Sequence, residues 1–187
     1  DYAESLRWLR KAADQGFADA QFGVGVAYHY GDGVLQNYSE AMKWYFKAAE
    51  QGHAGAQFNL GVLYDSGQAN YLEAIKWYRK AAERGNAEAQ YNLGYIYYAG
   101  HGVPQDYEQA FGWFRKAAEQ GLPLAQNNIG YMFLNGQGVS QDYVAAHMWS
   151  ALAAARATTK EERDGATMNR DLAASEMTTA QIAEARR

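Results

Sequence analysis

From Tyr38 the apolar side chains fall at Tyr38, Ala41, Tyr45 and Ala48, an i, i+3, i+7, i+10 series separated by Ser, Glu and Lys. That spacing keeps one face of an α-helix apolar and is expected to be buried. The series returns as Tyr71, Ala74, Tyr78, Ala81 and as Tyr107, Ala110, Phe114, Ala117. Each stretch follows a residue suited to receive the free amides of a helix start: Asn37, Asn70, Asp106 and Asp142, with Asp1 in the same register. Glu4, Glu40, Glu73 and Gln109 stand three residues further on, as in a capping box. Each stretch ends at a glycine, Gly16, Gly52, Gly85 or Gly121, where a left-handed residue closes a helix without steric cost. Basic residues such as Arg10, Lys47, Lys80 and Lys116 fill the later turns and complement the carboxyl end of the dipole.

A second helix follows each of these outer helices, for example from Ala54 to about Ser66, with Leu60, Gly61 and Tyr64 facing its partner. A glycine recurs in its middle, at Gly25, Gly61, Gly94 and Gly130. Mid-helix glycine costs about 1 kcal/mol against alanine, so its recurrence predicts a close approach of two helix backbones. The connections read Gly31-Asp32-Gly33-Val34, Gly100-His101-Gly102-Val103 and Gly136-Gln137-Gly138-Val139, whereas one has shrunk to Gly67-Gln68-Ala69-Asn70. Trp8, Trp44, Trp77, Trp113 and Trp149 are accordingly 36, 33, 36 and 36 residues apart. The chain therefore divides into a half-unit over 1–16 and units near 17–52, 53–85, 86–121 and 122–157. Capping boxes at Thr159 with Glu162 and Thr178 with Gln181 predict two more helices, and residues 158–187 are expected to cap the array as a lid on its core.

Composition narrows the function. A net charge of -4 and a pI near 5.6 give no basic stripe for nucleic acid. Without cysteine there is no thiolate metal site, and the compartment stays open between cytoplasmic and periplasmic or exported. No run reaches the roughly 18 apolar residues of a membrane span. The chain opens at Asp1 partway through a unit, so any leader would be absent from it. His29, His53, His101 and His147 occupy different unit positions and form no His-Glu-x-x-His pattern, so no metal is expected. The Gly-x-Gly loops join helix to helix, and Gln36, Gln105 and Gln141 stand where a nucleotide fingerprint needs its third glycine. Asn37-Tyr38-Ser39 is a sequon whose asparagine already has a capping role. No cofactor and no enzymatic activity is expected.

The block Ala-x-Ala-Gln-x-x-[Leu/Ile/Val]-Gly-x-x-Tyr, then Gly-x-Gly-Val-x-Gln-[Asp/Asn]-Tyr, then Ala-x-x-Trp-[Tyr/Phe]-x-Lys-Ala-Ala-x-x-Gly resembles the Sel1-like repeat family, relatives of tetratricopeptide repeats. The resemblance covers residues 1 to about 157. It implies an all-α fold, a right-handed α-solenoid of stacked antiparallel helix pairs, whose concave face holds a peptide or partner protein. It implies an adaptor or scaffold in bacterial signalling, secretion, envelope regulation or host contact. The groove position is Asn59, Asn92 and Asn128, where amides can serve an extended backbone. Beyond it, Tyr95 and Tyr131 (Val26 and Val62 in other units), and His29, Asp65 and Tyr98, vary between units and could supply selectivity. Two structural readings stay open beside this one: an asparagine ladder between units, and tyrosines that merely pack. Two functional alternatives also stand: self-association through exposed repeat ends, and binding or hydrolysis of a cell-wall-related small molecule such as a β-lactam. The latter belongs to cysteine-rich relatives, whose cysteines this chain lacks.

Overall fold

Helix starts and stops lie where the capping residues put them. The computed structural model describes residues 2–68 and 70–185, so the cap expected at Asp1 and the loop residue Ala69 lie outside the described residues. Among those described there are eleven helices and no strand: α1 (Tyr2–Asp14), α2 (Ala18–Tyr30), α3 (Tyr38–Glu50), α4 (Ala54–Gln68), α5 (Tyr71–Glu83), α6 (Ala87–Ala99), α7 (Tyr107–Glu119), α8 (Pro123–Asn135), α9 (Tyr143–Arg156), α10 (Lys160–Ser175) and α11 (Thr179–Ala185). The side chains of Asn37, Asn70, Asp106 and Asp142 each accept the backbone amide three residues on, at 3.1, 3.3, 2.9 and 3.0 Å. Capping is only half reciprocal, because the carboxylates of Glu40 and Glu73 turn instead to Lys43 and Lys76. The full box forms at Thr159 and Glu162, where the amides of Thr158 and Thr159 hold the Glu162 carboxyl below its ordinary pKa. At the other ends, Gly52 has φ 88°; its N–H reaches Ala49 O at 3.0 Å and that of His53 reaches Ala48 O at 3.1 Å, a Schellman closure.

The chain forms two compact units, Asp1–Ala89 and Gln90–Arg187. In the first, α1 packs on α2, α2 on α3, α3 on α4 and α4 on α5. Its core collects Val24, Ala41, Trp44, Tyr45, Ala48, Leu60 and Trp77. In the second, α7 packs on α8, α8 on α9, α9 on both α10 and α11, and α10 also on α8. Short connections make such successive helices antiparallel.

Three expectations need correction. The first aromatic of each outer stripe is not core: Tyr38 is 52% exposed, and Tyr71 and Tyr107 are half-buried. These residues open the first turn, and Tyr38 lies against the edge of His29 with ring centroids 5.3 Å apart. The recurring glycine makes room for a ring in three hairpins, where a close backbone approach was expected. A Cβ on Gly25 would lie 2.5 Å from the Tyr45 ring and one on Gly94 2.8 Å from Phe114; Gly61 meets Tyr78 in the same way. At Gly130, where Ser150 replaces the ring, a partner backbone does come near, with Ala146 O at 3.1 Å from such a Cβ. Finally, the shortened connection does not begin at Gly67, because α4 continues to Gln68.

That shortened loop nonetheless keeps the bond that closes every hairpin. Asn37 N–H donates to Tyr28 O, Asp106 N–H to Tyr97 O and Asp142 N–H to Phe133 O, each across nine residues, and Asn70 N–H donates to Tyr64 O across six. The glutamines of the longer loops complete the closure: Gln36, Gln105 and Gln141 donate through Nε2 to the carbonyls of His29, Tyr98 and Leu134 at 2.7–2.8 Å. The Gly-x-Gly segments are thus helix-ending turns, as their lack of a preceding strand indicated.

Candidate partner-docking site

Most of the residues that keep the repeat period are taken up by packing, although Trp8 and Tyr38 remain exposed. Trp44 and Trp77 are buried, and Phe46 of α3 meets the Trp77 ring edge-on at 5.7 Å. Trp113 is half-buried beneath Lys116 Nζ, 4.1 Å from its ring centroid. Gln57 and Gln126 donate to Ala49 O and Ala118 O at 3.0 Å, tying each inner helix to the end of the outer helix before it. Both glutamines are buried, with their Nε2 groups spent on these bonds inside the hairpin.

The positions that vary behave differently, and the two units diverge. In the second unit, Tyr91, Tyr95 and Tyr98 share one face of α6 at i, i+4 and i+7. Opposite them α8 presents Asn127, Asn128 and Tyr131, and α10 adds Asn169. These seven line a recess of about 270 Å³ with no charged side chain in its walls. Its floor is knitted together. Asn169 Nδ2 donates to Asn127 Oδ1 at 2.9 Å, and Tyr98 Oη donates to Gln137 Oε1 at 3.4 Å. Burial raises the pKa of Tyr91 despite a hydrogen bond with Asn128 that draws it down. Burial likewise raises that of Tyr98, followed by the nearby Tyr131 and Tyr107 hydroxyls. The rim is open: Tyr95 and Tyr131, one repeat apart, are 47% and 39% exposed.

In the first unit, the equivalent positions do not form such a site. Asp65 accepts the Tyr78 hydroxyl at 3.3 Å within its own hairpin. Asn59 lies near enough to the Tyr45 hydroxyl to lower its pKa, yet outside hydrogen-bonding geometry, so that buried oxygen has no partner. Burial dominates and pushes Tyr45 up to about 12. His29 is enclosed by the rings of Tyr30, Tyr38 and Tyr45, and burial lowers its pKa. It lines a different recess, of about 430 Å³, with Tyr38, Ser39, Met42, Val62, Leu63 and Ser66.

Of the residues expected in a groove, Asn128, Tyr95, Tyr98 and Tyr131 therefore come together. Asn59, His29 and Asp65 belong to the other unit, and Asn92 is half-buried on α6 without lining the recess. Both structural readings of the asparagines and tyrosines apply in part, since Asn128 bonds a neighbouring hairpin and Tyr98 packs on Tyr107 and Phe114. Sequence reasoning missed Tyr91, Asn127 and Asn169. The first two occupy the place of Phe22 and Phe58, a change from apolar to polar that was a readable signal. Asn169 lies outside the repeat register, which offered no signal at all. Among the described residues no cluster of histidine, cysteine, aspartate or glutamate could hold a metal, and no helix is long and apolar enough to cross a membrane.

Helix pairs closed by one recurrent bond, with period-keeping residues in the core and varying ones at a recess, define an all-α repeat protein of the solenoid class. The particular kind follows from comparison. A family profile described as Sel1 repeat matches residues 1–17, 18–53, 54–86, 87–122 and 123–157, and the chain belongs to the Sel1 repeat family. It is similar to the crystal structure of a protective antigen of uropathogenic Escherichia coli displaying an SLR fold, with 41% identity and a TM-score of 0.84 over 97% of this chain. The chain spans 38% of that antigen's length. It is also similar to a Sel1 repeat protein from Oxalobacter formigenes, with 31% identity and a TM-score of 0.79 over 95% of this chain and 80% of the other. Likeness to Helicobacter pylori cysteine rich protein B, 21% identical with a TM-score of 0.55 over 68% of this chain and 92% of that one, shows the fold alone. No curated protein matches the sequence. Sel1 repeat proteins are commonly protein-interaction scaffolds and are generally non-catalytic.

Proposed function

We propose that this chain is a scaffold or adaptor that holds a peptide or partner protein at the tyrosine and asparagine recess of its second unit. The observation that carries the reading is the pairing of a hydrogen-bonded base with a half-exposed aromatic rim. Asn127, Asn169 and Tyr98 are locked by hydrogen bonds, while Tyr95 and Tyr131 stand half open above them. A tyrosine ring brings contact area with few rotors to freeze, and a preorganised floor leaves little ordering cost at binding. Neutral walls and the absence of a nucleophile paired with a base argue for recognition without chemistry.

The test replaces Tyr131 with a photo-crosslinking residue in the source cells and identifies what it captures. A defined protein should crosslink there, and Tyr95→Ala with Tyr131→Ala should reduce binding of that purified protein by about tenfold or more, with helicity unchanged. Undiminished binding by the double variant would move the docking surface elsewhere.

A further inference from the structure

The hydrogen bonds at the base of the recess fix which ends of its polar groups are spent. Asn169 Nδ2 donates to Asn127 Oδ1 at 2.9 Å, a head-to-tail amide pair between α10 and α8. A carboxamide carries two N–H donors and an oxygen with two lone pairs, so such a pair keeps a donor at one end and an acceptor at the other. Among the described residues, Asn127 Nδ2 and Asn169 Oδ1 have no hydrogen-bond partner. Tyr98 Oη uses its only hydrogen on Gln137 Oε1 at 3.4 Å, which leaves its oxygen as an acceptor. The base therefore offers one donor group and two acceptors, and no charged side chain stands in the walls.

Few chemical groups match that set. A carboxylate only accepts and an ammonium only donates, and either would give up water with no counter-charge in the walls. A hydrocarbon side chain leaves the ends of Asn127 and Asn169 without partners once water is displaced. A hydroxyl or a main-chain amide has a single hydrogen for two acceptors. A primary carboxamide matches the count on both sides, with an oxygen for Asn127 Nδ2 and two N–H groups for Asn169 Oδ1 and Tyr98 Oη.

Depth selects between the two residues that carry this group. Asn169 is buried, whereas Tyr95 and Tyr131 on the rim are exposed, so the amide pair lies deeper than the rings. Glutamine reaches past the rim with one methylene more than asparagine, and its stem gains apolar contact with the tyrosines. At about 270 Å³ the recess is smaller than the roughly 300–1,000 Å³ of a small-molecule site and suits a single side chain of a larger partner. Resting on the proposed docking role of this recess, we infer that the partner enters it with a glutamine side chain, read by the Asn127–Asn169 pair and Tyr98.

The experiment follows the side-chain NH2 signals of Asn127 and Asn169 by NMR in the isotope-labelled full chain while N-acetyl-glutamine methylamide is added. The glutamate, methionine, lysine and glycine analogues run beside it, the last carrying main-chain amides alone. Saturable shifts of both signals are expected with the glutamine probe, at an affinity about tenfold above that of the glutamate, methionine and glycine probes. Asn127→Asp keeps the acceptor that Asn169 needs but turns the free donor into a charged acceptor. It should lower glutamine affinity by about tenfold and raise that of the lysine probe.

Glutamate, methionine or glycine probes that bind as tightly as glutamine overturn the inference. So does an Asn127→Asp variant with undiminished glutamine affinity, or the absence of any shift at tens of millimolar probe. If Tyr95→Ala with Tyr131→Ala still fails to bind the crosslinked partner in that case, the docking site stands and only its occupant has been misjudged. If that variant binds the partner as the native chain does, the site itself is lost.

Discussion

The recesses of the two units share only two repeat positions, and their walls differ: the first is lined mainly by aliphatic, hydroxyl and aromatic side chains of α2, α3 and α4, the second by tyrosines and asparagines of α6, α8 and α10. In the first unit Val62 and His29 stand where the second has Tyr95 or Tyr131 and Tyr98. Valine at that place ends at its methyl groups, whereas tyrosine adds a ring and a hydroxyl, and Tyr95 and Tyr131 stay 47% and 39% exposed. The imidazole of His29 is swallowed by rings, while the Tyr98 hydroxyl reaches Gln137. The two also differ in what protons do to them. Burial holds His29 below its ordinary value of 6.5, so the stability it lends is present above that pH and is lost as pH falls through its folded value. In the second recess burial raises Tyr91 and Tyr98, whose contribution weakens on the alkaline side. A repeat thus fixes where a side chain sits, and the residue type decides whether that place serves packing or recognition.

The widest gap between the two regions should appear on removing a ring from the floor of the second. Tyr98→Ala forfeits packing on Tyr107 and Phe114 together with the Gln137 bond, and is expected to cost about 2 kcal/mol in urea unfolding. A loss below about 0.5 kcal/mol would mean that the floor is not preformed. A smaller effect, about 1 kcal/mol, is expected of Asn169→Ala, which strands Asn127 and frees α10 from the recess. Faster amide exchange confined to α10 and the residues about Asn127 would report it, whereas uniform exchange would deny that the cap helps to hold the site. The first region should show the reverse sign. Tyr45→Phe removes a buried hydroxyl without a partner and should stabilise by up to about 1 kcal/mol at neutral pH. Because folded Tyr45 keeps its proton up to about 12 and a free tyrosine only to 10.0, native stability is intact below pH 10 and declines between about 10 and 12. The variant should decline less steeply over that window, and an identical alkaline limb would place the titrating group elsewhere.

Much of this architecture was legible because it follows from local chemistry. Asn37, Asn70, Asp106 and Asp142 begin helices through their own side chains, and the glycines after each Ala-Ala end them through a left-handed φ, so both could be read from neighbours a few residues away. The mid-helix glycines were legible as sites of close approach but not as to what approaches. The Tyr45, Tyr78 or Phe114 ring that fills three of those places comes from the following helix, and its reach is a matter of packing. The site divided in the same way. Tyr95, Tyr98 and Tyr131 could be singled out because their positions vary between units, and Asn128 because the resemblance puts its recurring position in a groove, whereas Asp65 varies equally and is spent on Tyr78.

By itself the sequence determined the helix hairpin, its period and its closures, since each rests on contacts within about a dozen residues and is repeated often enough to be unmistakable. Only the tertiary structure decided which variable residues meet, because that depends on separations of a whole repeat or more. Asn169 reaches Asn127 across 42 positions, from a helix that belongs to no repeat. No periodicity in the chain could have brought those two amides to the same recess; the docking of α10 against α8 did.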